Sequence, residues 1–377
     1  MTPSRTLRLS LAAFALLSRI AAAGAPPADV GGMLQAPAAG FAQVTAPRTF
    51  SFPADEGPHP QFRQEWWYTT GNLEAANGER FGFELTFFRY ALEPPAALSA
   101  GTSAWRTREI YLAHFAVTDA ATGRFRYAQK ASRAALGLAG AAADPLHVWV
   151  DDWYLKVAPD VATSWLLHAG GEGYEIDLEL DASGAPVLNG VDGFSAKSAT
   201  PGDASYYYSL PRVGVRGRLL RDGRPLAVTG LAWFDREWGS GALGRGEVGW
   251  DWFALQLQDG SALMFYALRD AHGGIDPHSA GTWVERAGTV RPLGAQQVSV
   301  EVTDHWLSSR RVRYPSAWHV TVPQLGLDLT VRPLLADQEL GTTPRYWEGA
   351  VDVRGTRAGE ALGGRGYVEL VGYRQER

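Results

Sequence analysis

The sequence predicts an all-β protein of two consecutive antiparallel β-barrels with little helix. Glycine and proline are abundant, at 43 and 22 residues, beside 14 Trp, 14 Tyr and 15 Phe, a mixture that suits short strands and tight turns better than helices. Short runs that alternate apolar and polar residues recur along the chain with turn signals between them. There is also an internal echo. Glu65-Trp66-Trp67-Tyr68, then Asn77-Gly78, then Arg89 returns as Trp250-Asp251-Trp252-Phe253, then Asp259-Gly260, then Arg269. Each copy reads as acid plus Trp, strand, tight turn, and strand ending in Arg, so each is expected to enter one barrel.

The first residues carry a targeting pattern. Arg5 and Arg8 precede the apolar run Leu9 to Leu17, and Ala21-Ala22-Ala23 follows. This fits a secretory signal cleaved near Ala23, and a periplasmic or secreted protein is expected. The run is too short to span a bilayer, and no later segment approaches the roughly 20 apolar residues a membrane helix needs. An integral membrane protein is therefore not expected. Residues 24–50, rich in Ala, Gly and Pro, read as a flexible linker. Residues 51–238 and 239–377 are then the two barrel domains.

Within the first domain, Phe81, Phe83, Leu85 and Phe87 alternate with Gly82, Glu84 and Thr86, after the Asn77-Gly78 turn. Strand patterns follow at Tyr111 to Thr118, His147 to Val157, Tyr174 to Leu180, Tyr206 to Leu210 and Leu226 to Phe234. In Tyr174 to Leu180 the acids Glu175, Asp177 and Glu179 alternate with apolar residues, so one face is wet. Ala131 to Ala143 is rich enough in Ala to suggest a helix, although Gly137 and Gly140 oppose it. The second domain continues with Phe253 to Arg269, patterned as a hairpin. Val298 to Val302, Trp318 to Val322, Leu325 to Arg332, Tyr346 to Val353 and Tyr367 to Tyr373 complete the series.

Charge and cysteine exclude several classes. Loss of residues 1–23 removes three Arg and no acid, which leaves a net charge of about −8. Nucleic acid is thus an unsuitable partner, because phosphate binding needs a basic surface. Cysteine is absent, so there is no disulfide framework, thiolate metal site or cysteine nucleophile. Gly239 to Gly249 formally matches G-x-G-x-x-G twice, but a strand pattern follows where a dinucleotide site needs a helix. A loop joining the barrels is expected there. Gly101-Thr102-Ser103-Ala104-Trp105 lacks the last Gly of a nucleophile elbow. The eight His are scattered, so no metal site is expected.

What remains is a set of carboxylates among aromatics: Glu65, Asp235, Glu237, Asp251, Glu348 and Glu369. A carboxyl in an apolar pocket has its pKa raised and becomes a general acid near neutrality, and aromatic faces stabilise a cation. The alternative is structural, with these acids pairing with Arg236, Arg269 or Arg345. Strand parity puts Trp252, Ala254, Gln256 and Gln258 on one face and Phe253, Leu255 and Leu257 on the other.

The blocks Glu65-Trp66-Trp67-Tyr68-Thr69-Thr70-Gly71, Phe234-Asp235-Arg236-Glu237-Trp238-Gly239, Trp250-Asp251-Trp252-Phe253, Asp337-Gln338-Glu339-Leu340, Tyr346-Trp347-Glu348-Gly349 and Gly366-Tyr367-Val368-Glu369-Leu370 run in order over nearly the whole mature chain. In them the sequence resembles the AttH/carotenoid 1,2-hydratase (CrtC) lipocalin-like family, and its secreted AttH-type branch most closely. The resemblance implies two lipocalin-like barrels. It also implies relatives that hydrate isoprenoid double bonds or cyclise natural products, some hydrolase-like members, and some associated with ABC-transporter components.

Two functions are expected from these features. The first is an exported carrier of a hydrophobic small molecule or lipid, linked to an ABC-type transport complex. Glu65, Trp66, Trp67, Tyr68, Trp238, Trp252, Gln256 and Tyr266 are its candidate ligand-binding residues. The alternative is a cofactor-free hydratase, cyclase or hydrolase of an apolar substrate, with Glu237, Asp235 or Asp251 as the acid.

Overall fold

The computed structural model describes residues 38–97, 107–241, 243 and 246–376. The signal pattern, residues 24–37 of the expected linker, and Ser103 lie outside the described residues. Among those described, the chain is almost entirely strand, with four short 3₁₀ turns, and no helix is long and apolar enough to cross a membrane.

Thirteen strands make the first sheet: β1 (Gln64–Ala75), β2 (Arg80–Ala91), β3 (Glu109–Asp119), β4 (Arg124–Arg133), β5 (Ala139–Ala143), β6 (Leu146–Val150), β7 (Trp153–Ala158), β8 (Val161–Gly171), β9 (Tyr174–Asp181), β10 (Val187–Leu188), β11 (Phe194–Ala196), β12 (Ala204–Arg221) and β13 (Arg224–Gly239). Ten make the second: β14 (Glu247–Leu257), β15 (Ala262–Asp270), β16 (Ala280–Val284), β17 (Val290–Gly294), β18 (Ser299–Leu307), β19 (Arg313–Val322), β20 (Leu327–Pro333), β21 (Glu339–Leu340), β22 (Tyr346–Arg357) and β23 (Glu360–Val371). All pairings are antiparallel. In each sheet the first strand pairs with the last, β1 with β13 and β14 with β23. One sheet curls into a nearly closed barrel and the other into a half-barrel, which is the all-β, lipocalin-like architecture.

The tight turns fall where the Asn-Gly and Asp-Gly pairs stand. Gly78 has φ 83° and Gly260 φ 90°, a region in which a side chain is strained. The expected helix at Ala131 to Ala143 is corrected. β4 runs on to Arg133, Leu136 and Gly137 turn the chain with positive φ, and β5 begins at Ala139. Its small residues serve close packing instead, since a Cβ on Gly140 would stand 2.6 Å from the Trp149 ring. Residues 38–50, expected as linker, pack on the first barrel. Val44 is fully buried, Tyr206 Oη donates to Ala46 O (3.0 Å), and the Phe50 ring meets Tyr206, Tyr208 and Trp238.

The three largest apolar clusters among the described residues follow from strand parity. Trp67, Phe83, Leu85, Phe87, Trp165, Phe234 and Trp238 fill the first barrel. Phe253, Leu255, Leu257, Phe265, Trp318 and Trp347 fill the second. The opposite faces of the same strands contribute Tyr68, Tyr207, Trp233, Trp252, Ala254, Met264, Tyr266 and Tyr367 to a third cluster between the barrels. Approach there is close enough that a Cβ on Gly82 would stand 2.5 Å from Ala350 Cβ. Polar bonds stitch the same seam. Tyr68 Oη donates to Glu348 Oε1 (2.7 Å), Asn72 Nδ2 to Gly366 O (3.0 Å), and Thr118 Oγ1 to Gln338 Oε1 (2.6 Å).

Candidate active site between the barrels

The seam opens into a cavity of about 100 Å³ walled by both barrels. Trp66, Tyr68, Thr86, Phe88 and Tyr90 come from β1 and β2, Tyr207 from β12, and Asp235 and Glu237 from β13. Opposite them stand Trp250, Trp252, Tyr266 and Leu268 from β14 and β15, with Tyr346, Glu369 and Val371 from β22 and β23. Lys197, just past β11, completes one wall.

Asp235 and Glu237 share a face of β13 because they are two residues apart, about 7 Å along the strand. Tyr207 Oη donates to Asp235 Oδ2 (2.6 Å), while Ser209 Oγ (2.5 Å) and Trp233 Nε1 (2.7 Å) donate to Oδ1. Burial nonetheless pushes the Asp235 carboxyl up to about 7; those three bonds pull the other way, and the neighbouring Glu237 adds to the rise. Asp235 is therefore a carboxylic acid that gives up a proton near neutrality. The Tyr207 hydroxyl also accepts from Trp252 Nε1 (3.1 Å), so acid, phenol and cavity wall are linked. Glu237 accepts from Ser205 Oγ and faces Lys197 Nζ at 3.2 Å.

Across the cavity, Glu369 accepts from Trp250 Nε1 (2.9 Å), and burial pushes its carboxyl up to about 7. Glu348 stands directly opposite Glu369 in the β22–β23 pairing, deeper in the seam. Burial drives Glu348 well above the ordinary carboxylate range and Glu84 up to about 8. No arginine or lysine pairs with Glu84 or Glu348 among the described residues.

Of the residues singled out from sequence, Trp66, Tyr68, Asp235, Glu237, Trp252 and Tyr266 meet in this cavity, as does Glu369. Glu65, Trp67 and Trp238 do not. Glu65 is on the barrel-interior face, bonded by the fully buried Arg89 and Arg236, with both His59 and Arg236 packed against Trp238. Trp67 donates from Nε1 to Glu56 O (2.8 Å) and lies under the Arg236 guanidinium. Asp251 also faces away. It bonds Arg269 Nε (2.8 Å) and Tyr373 Oη (3.1 Å), the second hairpin's version of the Glu65–Arg89 pair. Gln256 clamps the seam further along β14, donating to Pro211 O (2.7 Å) and Ala232 O (2.9 Å) beside an open polar groove.

Sequence reasoning missed Lys197, Tyr207, Ser205 and Ser209. Tyr207 carried a signal, as the middle of Tyr206-Tyr207-Tyr208 in a strand beside Asp235. Lys197 carried a fainter one, being one of three lysines in a chain whose basic residues are otherwise arginine. For a metal, His168, Glu175 and Asp177 draw together on the first barrel outside this cavity. Asp177 there is already engaged by His168 Nδ1 (2.8 Å) and Arg218 (2.6 Å).

Two curled antiparallel sheets meeting across an aromatic, acid-lined cleft define a lipocalin-like double-barrel protein. The chain belongs to the AttH-like family, whose pattern matches residues 43–373. It is similar to the crystal structure of an AttH from Nitrosomonas europaea, at 36% identity and TM-score 0.78, over 89% of this chain and 100% of that one. It shares its fold with kievitone hydratase from Nectria haematococca, at 17% identity and TM-score 0.68, over 90% and 98% of the two chains. It is also 25% identical over 233 residues to the dehydratase asqC of Emericella nidulans. That match takes in 57% of this chain and spans 63% of the relative's length.

Proposed function

We propose that the protein is a cofactor-free lyase that adds water to, or removes it from, an apolar substrate held between the barrels. The observation that carries this reading is Asp235, an acid poised near neutrality on the wall of an aromatic cavity. In dehydration Asp235 protonates the departing hydroxyl, and in hydration, the same path reversed, its carboxylate takes a proton from the attacking water while Glu237 returns one to carbon. Glu237, one pitch along the same strand, is placed to accept the second proton. The hydratase and dehydratase named among the relatives support the same direction. A carrier, the reading first favoured from sequence, accounts for the aromatic walls but gives no role to acids raised toward neutrality. The proposal does not call on a transporter partner. Export is part of it and rests on the N-terminal pattern alone.

The test is incubation of a panel of apolar alcohols and alkenes with the purified protein in heavy-oxygen water, followed by mass spectrometry. The expected result is gain or loss of one water from at least one compound with the wild type and at least a hundredfold slower conversion with Asp235→Asn. Equal conversion by Asp235→Asn, or no conversion of any compound, would contradict the assignment.

A further inference from the structure

A lysine is an unusual wall for a pocket that handles an apolar substrate. Lys197 Nζ has three N–H groups. Two meet Glu237 Oε1 (3.2 Å) and Ser195 Oγ (3.1 Å), and the ammonium lies 4.2 Å from the centre of the Tyr266 ring, itself a wall of the cavity. Ser195 Oγ is in turn 3.0 Å from Tyr266 Oη, so the lysine is held from two sides. Several other donors around the cavity are engaged, Tyr207 Oη with Asp235, Trp250 Nε1 with Glu369, Trp252 Nε1 with Tyr207 and Tyr68 Oη with Glu348, and the unpartnered Thr86 Oγ1 is a neutral hydroxyl without the charge of Lys197.

The sign of this charge selects among substrates. A carbocation formed by protonating an isolated alkene would arise beside a fixed ammonium, which raises its energy. A free carboxylate on the substrate would find the ammonium already paired with Glu237 and would leave an uncompensated negative charge in the cavity. A neutral carbonyl oxygen avoids both conflicts. It accepts a charge-assisted hydrogen bond from Lys197, and the bond strengthens as negative charge develops on that oxygen.

We infer that Lys197 is a specificity-determining anchor for a carbonyl oxygen, and that the substrate class is a neutral β-hydroxy carbonyl compound in exchange with its conjugated enone. This rests on the lyase reading above and narrows it. In the dehydration direction the Glu237 carboxylate takes the proton from the carbon next to the carbonyl. The C–H electron pair becomes the new C=C bond, the C–O bond at the β carbon breaks, and Asp235 gives its proton to the departing hydroxyl, which leaves as water. Glu237 gains one proton and Asp235 loses one, so protons balance and nothing is oxidised or reduced. Charge passing through the carbonyl oxygen is met by Lys197.

An isosteric pair of probes tests the anchor without turnover: 2-acetylnaphthalene, which has the carbonyl, and 2-isopropenylnaphthalene, which has C=CH₂ in its place. Affinities are measured by calorimetry on the full chain, and the bound ketone's carbonyl stretch by infrared difference spectroscopy. The expected result is about tenfold tighter binding of the ketone by the wild type and a carbonyl stretch shifted to lower frequency. In Lys197→Met both the preference and the shift disappear while the alkene probe still binds, which also shows that the cavity has folded. If Lys197→Met loses both probes, Lys197→Gln serves as the second variant, expected to keep the alkene probe and weaken the preference. Equal affinity of the two probes for the wild type, or a preference and shift that survive in Lys197→Met or are undiminished in Lys197→Gln, overturns the anchor and leaves the lyase reading standing. Failure of both probes to bind the wild type overturns the pocket itself and both readings with it.

Discussion

Asp235 owes its acidity to where it sits and its restraint to what it touches. Burial raises the carboxyl, and three hydrogen bonds favour its charged form without winning. Activity that needs the protonated acid should therefore fall as pH rises through about 7. Tyr207→Phe removes one of the bonds that favour the carboxylate, so the carboxyl pKa and the alkaline limb of the rate profile should both move up. A pH–rate profile of the variant checks this, and a downward move would contradict the assigned direction. At this scale the sequence was half legible. Acid beside aromatics marks Asp235, Glu237 and Glu369, but the same marks attach to Glu65 and Asp251, which hold strands to arginines. Residue type does not distinguish an acid raised by burial from one compensated by a guanidinium.

The elements explain why parity did not resolve this. β9 has one wet face, and its alternation is plain in the sequence: Ile176, Leu178 and Leu180 are buried while Glu175, Asp177 and Glu179 are half-buried. β1, residues 232–239 of β13, and β14 are largely buried on both faces, one inside a barrel and one against the other barrel. Aromatics and acids then fall on both faces, and alternation no longer says which face holds the cavity. The repeated hairpin was legible, and its shared feature is an acid–arginine clamp, Glu65 with Arg89 and Asp251 with Arg269. Glu65 also holds Arg236, and all three side chains are fully buried. Glu65→Gln leaves two buried guanidinium groups short of charge and should cost about 3–5 kcal/mol in urea denaturation. Asp251→Asn should cost less, because Arg269 is partly exposed. A Glu65→Gln protein as stable as the wild type would contradict the clamp.

The two barrels face one another across carboxyls that burial keeps protonated, and this makes the whole molecule sensitive to alkali. Glu84 is raised to about 8, and Asp235 and Glu369 to about 7, against ordinary values near 4 in the unfolded chain. Between about pH 4 and pH 8 the folded state thus holds more protons than the unfolded one, so stability falls as pH rises through that window. Asp55 and Glu65, lowered by their partners, act oppositely and weaken the fold only in acid. The melting temperature should accordingly drop between pH 5 and 8 in the wild type, and drop less in Glu84→Gln, where an amide stands in for the protonated acid. A steeper drop in the variant would contradict this account of the seam. Two barrels were legible from the repeat, but their docking was not, because the contacts that make the cavity join residues as distant as Tyr68 and Glu348 with no local pattern. Residue, strand and seam meet in the protonation of Asp235. The most direct measurement is the infrared difference spectrum of wild type minus Asp235→Asn across a pH titration. The expected result is a protonated carboxyl band that persists to about pH 7, and a carboxyl already ionised by about pH 5, in the ordinary aspartate range, would contradict it.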